Sequence, residues 1–147
     1  WGMLTLLGGG FAMAYGVKES GLSVWIGGLV RGLDGLHPFA AMLAVCLIST
    51  ALTEVASNTA TALILLPVLA AGATGPDPGT ATLMLAATLS ASFGFMLPAG
   101  TPPNAIVYAS GYIPVTRMAK CGLAVDLGGA VLVAVVCHFL ARGVLGV

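Results

Sequence analysis

The sequence predicts an all-α polytopic membrane protein, and three observations carry that prediction. First, 59% of its 147 residues are hydrophobic and only 7% are charged, with a mean hydropathy of +1.07. A water-soluble domain carries about 25% charged residues, so this chain could not cover a surface facing water. Second, residues 35–53, 55–76 and 78–116 contain no Asp, Glu, Lys or Arg, and about 18 or more apolar residues make a candidate span. Third, two places in these runs break the pattern: Ser57-Asn58-Thr59, and Gly100-Thr101-Pro102-Pro103.

Each element follows from the local pattern. Residues 1–17 are apolar, contain Gly8-Gly9-Gly10 and stop at Lys18-Glu19. At about 1.5 Å per residue they reach about 25 Å, a marginal span. The glycine triplet reads as a close-packing face, because a phosphate loop would need Gly-Lys-Ser/Thr after it. Residues 20–36 mix Leu22, Trp25, Ile26 and Leu29 with Arg31 and Asp34. That stretch is too short and too charged to cross, so it reads as a linking helix in the interface plane, where Trp25 is at home.

Residues 38–73 form two apolar arms meeting at Ser57. The second arm, about 16 residues and about 24 Å, falls short of a ~30 Å hydrocarbon core. A re-entrant hairpin accounts for this; two ordinary spans joined by a loop are the alternative that length leaves open. After the turn Thr74-Gly75-Pro76-Asp77-Pro78-Gly79, residues 79–113 make a broken helix. One arm is expected from Thr80 to Ala99 and a short one from Asn104 to about Tyr112. Arg117 and Lys120 mark a surface loop, and residues 121–141 form the last span with Asp126 near its start.

Composition also excludes function classes. Five basic and five acidic residues cancel, so no basic patch points to nucleic acid. Cys46, Cys121 and Cys137 lie in apolar segments without metal-ligand spacing and read as small hydrophobes. His37 and His138 are far apart in the chain. No nucleophile–base or carboxylate pair stands at either interruption, so the chain does not read as an enzyme. It opens on Trp1 with no secretory leader pattern, which reads as a piece of a longer polypeptide.

The two interruptions carry the chemistry. Non-helical backbone at membrane depth survives only where protein or a cavity satisfies its polar groups. A helix that starts after a break presents free N–H groups and a partial positive charge, whereas one that ends before it presents free carbonyls. The first suits an anion and the second a hard cation. Ser57 and Asn58 are N-cap residues, and Thr59 adds a hydroxyl. Thr101 is a cap with Pro102 at the first helical position, and Gly100 permits close approach.

Neither interrupted stretch holds Arg or Lys. Helix ends supply about 0.3–1 kcal/mol when exposed and up to ~2 when partly buried, too little to offset the desolvation of a dianion. A co-bound Na⁺ would supply the rest. Glu54, a carboxylate beside the first break, could tune the cation site, pair with Arg31 or reach water. The bland alternatives are interhelical glue for Ser-Asn-Thr and a simple kink for Pro-Pro. Two such breaks in one short unit match the pattern of secondary transporters.

The segments TEVASNTATALILLPV and FMLPAGTPPNAIVYASGYI resemble the divalent anion:sodium symporter family of dicarboxylate, citrate and sulfate carriers. The resemblance runs from the glycine triplet through the last helix. It implies the C-terminal one of two inverted repeats of an elevator-type transporter, with a re-entrant hairpin and a discontinuous helix. It further implies that Asn58, Thr59, Thr101 and Pro102 contact a substrate carboxylate. Na⁺ would lie between the carbonyls of Thr53, Ala56 and Gly100 and the side chain of Asn58; relatives carry Ala where this chain has Gly100.

A homodimer, a missing N-terminal repeat and residence in the cell (inner) membrane are implied as well. A sodium-independent exchanger, a sulfate or citrate carrier, and a non-transporting scaffold subunit are the competing functions. With the hairpin re-entrant, Arg117 and Lys120 lie on the side favoured as cytoplasmic.

Overall fold

The computed structural model describes residues 12, 15–16, 19–21, 37–72, 78–98, 100–140 and 143. Apart from isolated positions, the expected span over 1–17, the linking helix over 20–36 and the turn over 74–77 lie outside the described residues. All regular structure among the described residues is helical. Five helices follow one another: α1 (Pro38–Val55), α2 (Asn58–Gly72), α3 (Pro78–Ser90), α4 (Pro102–Ala109) and α5 (Val115–Leu140).

α1 starts where a cap and a proline coincide. His37 Nδ1 accepts the Phe39 N–H at 3.3 Å, and Pro38 occupies the first turn, where a missing N–H costs nothing. The helix stops at Val55, with the Ala56 N–H still reaching the Leu52 carbonyl at 2.8 Å. Ala56 itself is extended, and α2 begins two residues later. Of the expected caps at this break, Ser57 does the work. Its Oγ accepts the Ala60 N–H at 3.2 Å, and its carbonyl accepts the Thr61 N–H at 2.9 Å. By length and composition α1 and α5 can each cross a bilayer. The 15-residue α2, with Pro67 inside it, and the 13-residue α3 are shorter.

Two expected boundaries are corrected. α3 ends at Ser90, not at Ala99. Ser92 and Phe93 still bond back to the Leu89 and Ser90 carbonyls, and then the backbone leaves the helix until Pro102. Pro98 disfavours helix at Leu97. The N–H groups of Phe95, Met96 and Leu97 go to side-chain carboxylates instead of to the preceding turn. α5, in turn, begins at Val115, so Arg117 and Lys120 sit in its first turns and not in a loop. Pro114 starts it, its carbonyl accepting from Arg117 and Met118.

α3 lies at the centre and packs against α1, α2 and α5; α1 also meets α5 and α2. One apolar cluster joins Val45 of α1 to Ile64, Leu65, Val68 and Leu69 of α2 and Ala87 of α3. The other joins Met42 and Cys46 of α1, Ala86 of α3 and Ala130, Val133, Ala134 and Cys137 of α5. Between membrane helices, lipid is as apolar as leucine, so close packing of small residues and interhelical hydrogen bonds hold the contacts. Both are present. Alanines line the centre, and a polar seam runs along α1 against α3. Ser49 Oγ donates to the Ala87 carbonyl at 2.6 Å, Thr50 Oγ1 to Ser90 at 3.3 Å, and Thr53 Oγ1 to Ala91 at 2.8 Å. The outer side of α5 stays apolar and exposed at Leu123, Val131, Leu132 and Phe139, as a lipid-facing or subunit-facing surface must be.

Candidate functional site

The seam leads to the first break, and the first break touches the second. Thr53, fully buried at the top of the seam, lies 2.7 Å from Asn58 Oδ1 through its hydroxyl. One turn of α1 therefore faces the start of α2 through a hydroxyl–amide contact across Ala56 and Ser57. Glu54, only 6% exposed, extends the other way. Its Oε1 accepts the Met96 N–H at 2.9 Å, and its Oε2 accepts the Leu97 N–H at 2.8 Å. These two bonds fasten the end of α1 to the unwound segment 42 and 43 residues ahead in the chain.

Gly94 and Gly100 make the close approach possible. A Cβ at Gly94 would lie 3.1 Å from Thr53 Cγ2, and one at Gly100 would lie 3.1 Å from the Gly94 carbonyl and 3.5 Å from Glu54 Oε2. The two 3.1 Å approaches are tighter than ordinary contact, so glycine at 94 lets the segment close on Thr53 and glycine at 100 lets it fold on itself. The Gly100 N–H returns to the Leu97 carbonyl at 3.1 Å. The unwound segment thus folds back on itself beside Glu54.

Asn104, on the first turn of α4, braces that fold from the far side. Its Nδ2 donates to the Gly94 carbonyl at 2.7 Å and to the Leu97 carbonyl at 3.0 Å. Sequence reasoning set its amide near this helix end but gave it no bracing role.

The two helix starts differ in what they offer. At α2, the Asn58 and Thr59 N–H groups have no acceptor among the described residues, so they remain available as first-turn donors. Thr59 is exposed and Asn58 half-buried. At α4, Thr101 caps as expected: its Oγ1 accepts the Asn104 N–H at 3.4 Å, and its carbonyl accepts the Ala105 N–H at 3.2 Å. Pro102 and Pro103 carry no N–H. The expected row of free donors at this second helix start is therefore corrected. It supplies a positive end of a dipole and the Thr101 side chain, but no first-turn N–H.

On the carbonyl side, α1 ends as the chemistry of a hard cation requires. No N–H among the described residues reaches the carbonyls of Thr53 or Ala56. Of the four expected ligands Thr53, Ala56, Asn58 and Gly100, Thr53 and Asn58 are in side-chain contact, Ala56 lies between them in the chain, and Gly100 packs near Glu54. All four offer neutral oxygen, the donor type that suits an alkali cation. Thr59 and Pro102 lie on the exposed side of their helix starts.

Two contributors were legible only in outline. Glu54 had three open roles in the sequence; here it accepts from the backbone N–H groups of Met96 and Leu97. Asp126 on α5, 2% exposed, carried no role at all, yet it accepts the Phe95 N–H at 3.2 and 3.4 Å. A signal existed for both, since an acidic residue inside an apolar run marks a functional position by default.

Comparison with known proteins follows the same lines. The model of the sodium:sulfate symporter transmembrane region matches residues 1–144. The sodium-dependent dicarboxylate transporter SdcS of Staphylococcus saprophyticus is 42% identical over 147 residues, all of this chain and 28% of that protein. The Na(+)/dicarboxylate cotransporter 3 of Homo sapiens is 46% identical over 142 residues, 97% of this chain and 24% of that protein. The sodium-dependent low-affinity dicarboxylate transporter 1 of Caenorhabditis elegans is 51% identical over 132 residues, 90% of this chain and 23% of that protein. The chain spans about a quarter of the length of these relatives. Its apolar helices, its paired breaks and a match over nearly every residue agree: the chain belongs to the sodium:sulfate symporter family of integral membrane transporters.

Proposed function

We propose that this chain is the C-terminal repeat of a longer carrier that moves a C4-dicarboxylate such as succinate together with Na⁺. The observation that carries this reading is the junction of the two helix breaks through Thr53, Glu54 and Gly100. The relatives, named as sodium-dependent or sodium-coupled dicarboxylate carriers, support the substrate class. In this reading α1 and α2 form a re-entrant hairpin, and α3 with α4 forms the discontinuous helix. An N-terminal repeat completes the cavity, and the carrier works as a homodimer with an elevator-like movement.

The division of labour follows from the two helix starts. One carboxylate of the substrate meets the Asn58 and Thr59 N–H groups and side chains. Thr101 and Pro102 border it from α4, which contributes its dipole and one hydroxyl. Na⁺ is cargo, held by the Thr53, Ala56 and Gly100 carbonyls and Asn58 Oδ1. It supplies the positive charge that this break region lacks, because helix ends give at most ~2 kcal/mol each. A sulfate carrier is the second reading, favoured by the family's own description.

Reconstituted full-length carrier tests this directly. Succinate uptake should require Na⁺ and fail with choline, and Asn58→Ala and Thr101→Ala should abolish it with insertion intact. Uptake indifferent to Na⁺ would make the carrier an exchanger. Uptake of sulfate in preference to succinate would select the second reading, and normal uptake by both variants would reject the site.

A further inference from the structure

The segment between α3 and α4 is held from three directions, and only two of them belong to the break region. Glu54 takes the Met96 and Leu97 N–H groups from the α1 side, and Asn104 takes the Gly94 and Leu97 carbonyls from the α4 side. The third hold is remote in sequence. Asp126, in the middle of α5, reaches the Phe95 N–H with both carboxylate oxygens at 3.2 and 3.4 Å. Its carboxyl also stands within hydrogen-bonding reach of Glu54.

α5 is shaped to sit on this segment. Gly122, one turn before Asp126, is buried, and a Cβ there would overlap the Phe95 carbonyl and come within 2.6 Å of Met96 Cα. A Cβ at Gly129, one turn after, would run into the Phe93 ring. Glycine, aspartate and glycine thus follow one another at near-helical spacing along the face over residues 93–96. Gly122 admits the Phe95–Met96 backbone, Gly129 admits the Phe93 ring, and Asp126 between them bonds to the Phe95 N–H.

We propose that Asp126 is a positioning residue of the Na⁺ site, acting through Phe95 on the carbonyl of Gly100. The path is short. Phe95 stands between Gly94 and Leu97, whose carbonyls are the ones Asn104 holds. The Leu97 carbonyl also takes the Gly100 N–H. Releasing Phe95 from α5 loosens both anchor carbonyls and lets Gly100 drift from Glu54 and the first break. Asp126 touches neither Na⁺ nor substrate. This inference rests on the sodium-coupled reading above.

The two carboxylates have opposite tolerances for amide replacement. Glu54 uses its two oxygens on two different N–H groups, whereas Asp126 offers both to a single one. Asp126→Asn therefore keeps an oxygen for Phe95 and gains an N–H directed at Glu54.

The experiment uses full-length carrier in proteoliposomes, with the Na⁺ half-saturation of succinate uptake read apart from the maximal rate. Asp126→Ala should raise the Na⁺ half-saturation at least about fivefold, as expected for loss of one hydrogen bond to the segment, and Asp126→Asn should stay within about twofold of the parent. Gly122→Ala, which pushes Phe95 from the same side without changing charge, should shift Na⁺ dependence as Asp126→Ala does. A half-saturation unchanged in Asp126→Ala, or an Asn variant as impaired as the Ala variant, overturns the proposal.

Amide hydrogen exchange of the purified carrier separates this from failure of the functional reading. Asp126→Ala should speed exchange over residues 93–98 by at least about tenfold while α1 and α3 stay protected. Were the parent itself to show no Na⁺-dependent uptake, the transport reading falls, and unchanged exchange over 93–98 would remove the positioning role as well.

Discussion

Replacing Glu54 by Gln tests the junction of the two breaks at its narrowest point. The change removes a charge and one acceptor while keeping size. In the native site Oε1 meets the Met96 N–H at 2.9 Å and Oε2 meets the Leu97 N–H at 2.8 Å. Charge-assisted bonds of this kind are worth about 1.5–3 kcal/mol each. Gln retains one neutral bond of about 1 kcal/mol and turns an NH₂ toward the other N–H, leaving that buried donor unsatisfied at a cost of about 1–3 kcal/mol.

The net loss is at least about 3 kcal/mol, and every 1.4 kcal/mol is tenfold. If the whole loss falls on the arrangement that brings Gly100 to the cation, apparent Na⁺ affinity drops at least about a hundredfold. The measurement is succinate uptake against Na⁺ concentration in proteoliposomes, normalised to inserted protein. A Glu54→Gln carrier whose Na⁺ half-saturation stays within about threefold of the parent would refute the reasoning, since the unwound segment would then hold its shape without this carboxylate.

Two further outcomes follow from the same geometry. Thr53→Val removes a fully buried hydroxyl and leaves the Ala91 carbonyl without its donor; destabilisation of about 1–2 kcal/mol in thermal unfolding is expected. Because the Thr53 carbonyl remains, Na⁺-dependent uptake should persist in this variant, unlike in Asn58→Ala. On α5, Gly122→Ala and Gly128→Ala should move stability in opposite directions, since a Cβ collides with the Phe95 backbone at the first and meets nothing within 4 Å at the second. Overpacking costs about 1–3 kcal/mol, while relief of glycine in an open helical position gains up to about 1 kcal/mol. Equal melting temperatures for the two variants in detergent would contradict the packing of α5 on the break.

The parts of the fold written in the sequence are those with local causes. Ser57 before α2 and Thr101 with Pro102 before α4 each mark a helix start through cap chemistry, and each stands where expected. The end of α3 has no local cause. Leu89 to Met96 is as apolar as the helix before it, and the acceptors that draw its N–H groups away come from Glu54 and Asp126 on other helices. Charge misled at Arg117 and Lys120, because long basic side chains reach water from a helix turn as readily as from a loop. The polar residues at the two breaks were legible in residue type. The brace around them was not, because Asn104, Glu54 and Asp126 converge only in three dimensions.

The hydroxyl seam between α1 and α3 has a mechanical consequence. Each rung joins a side chain at a fixed helical interval to one particular main-chain oxygen, so sliding either helix by a single residue would unfasten every rung at once. The pair behaves as one stiff strut with both tips bound at its end. Whatever shifts α1 along its axis must carry α3 and the unwound segment with it, so the joined breaks move without being reshaped.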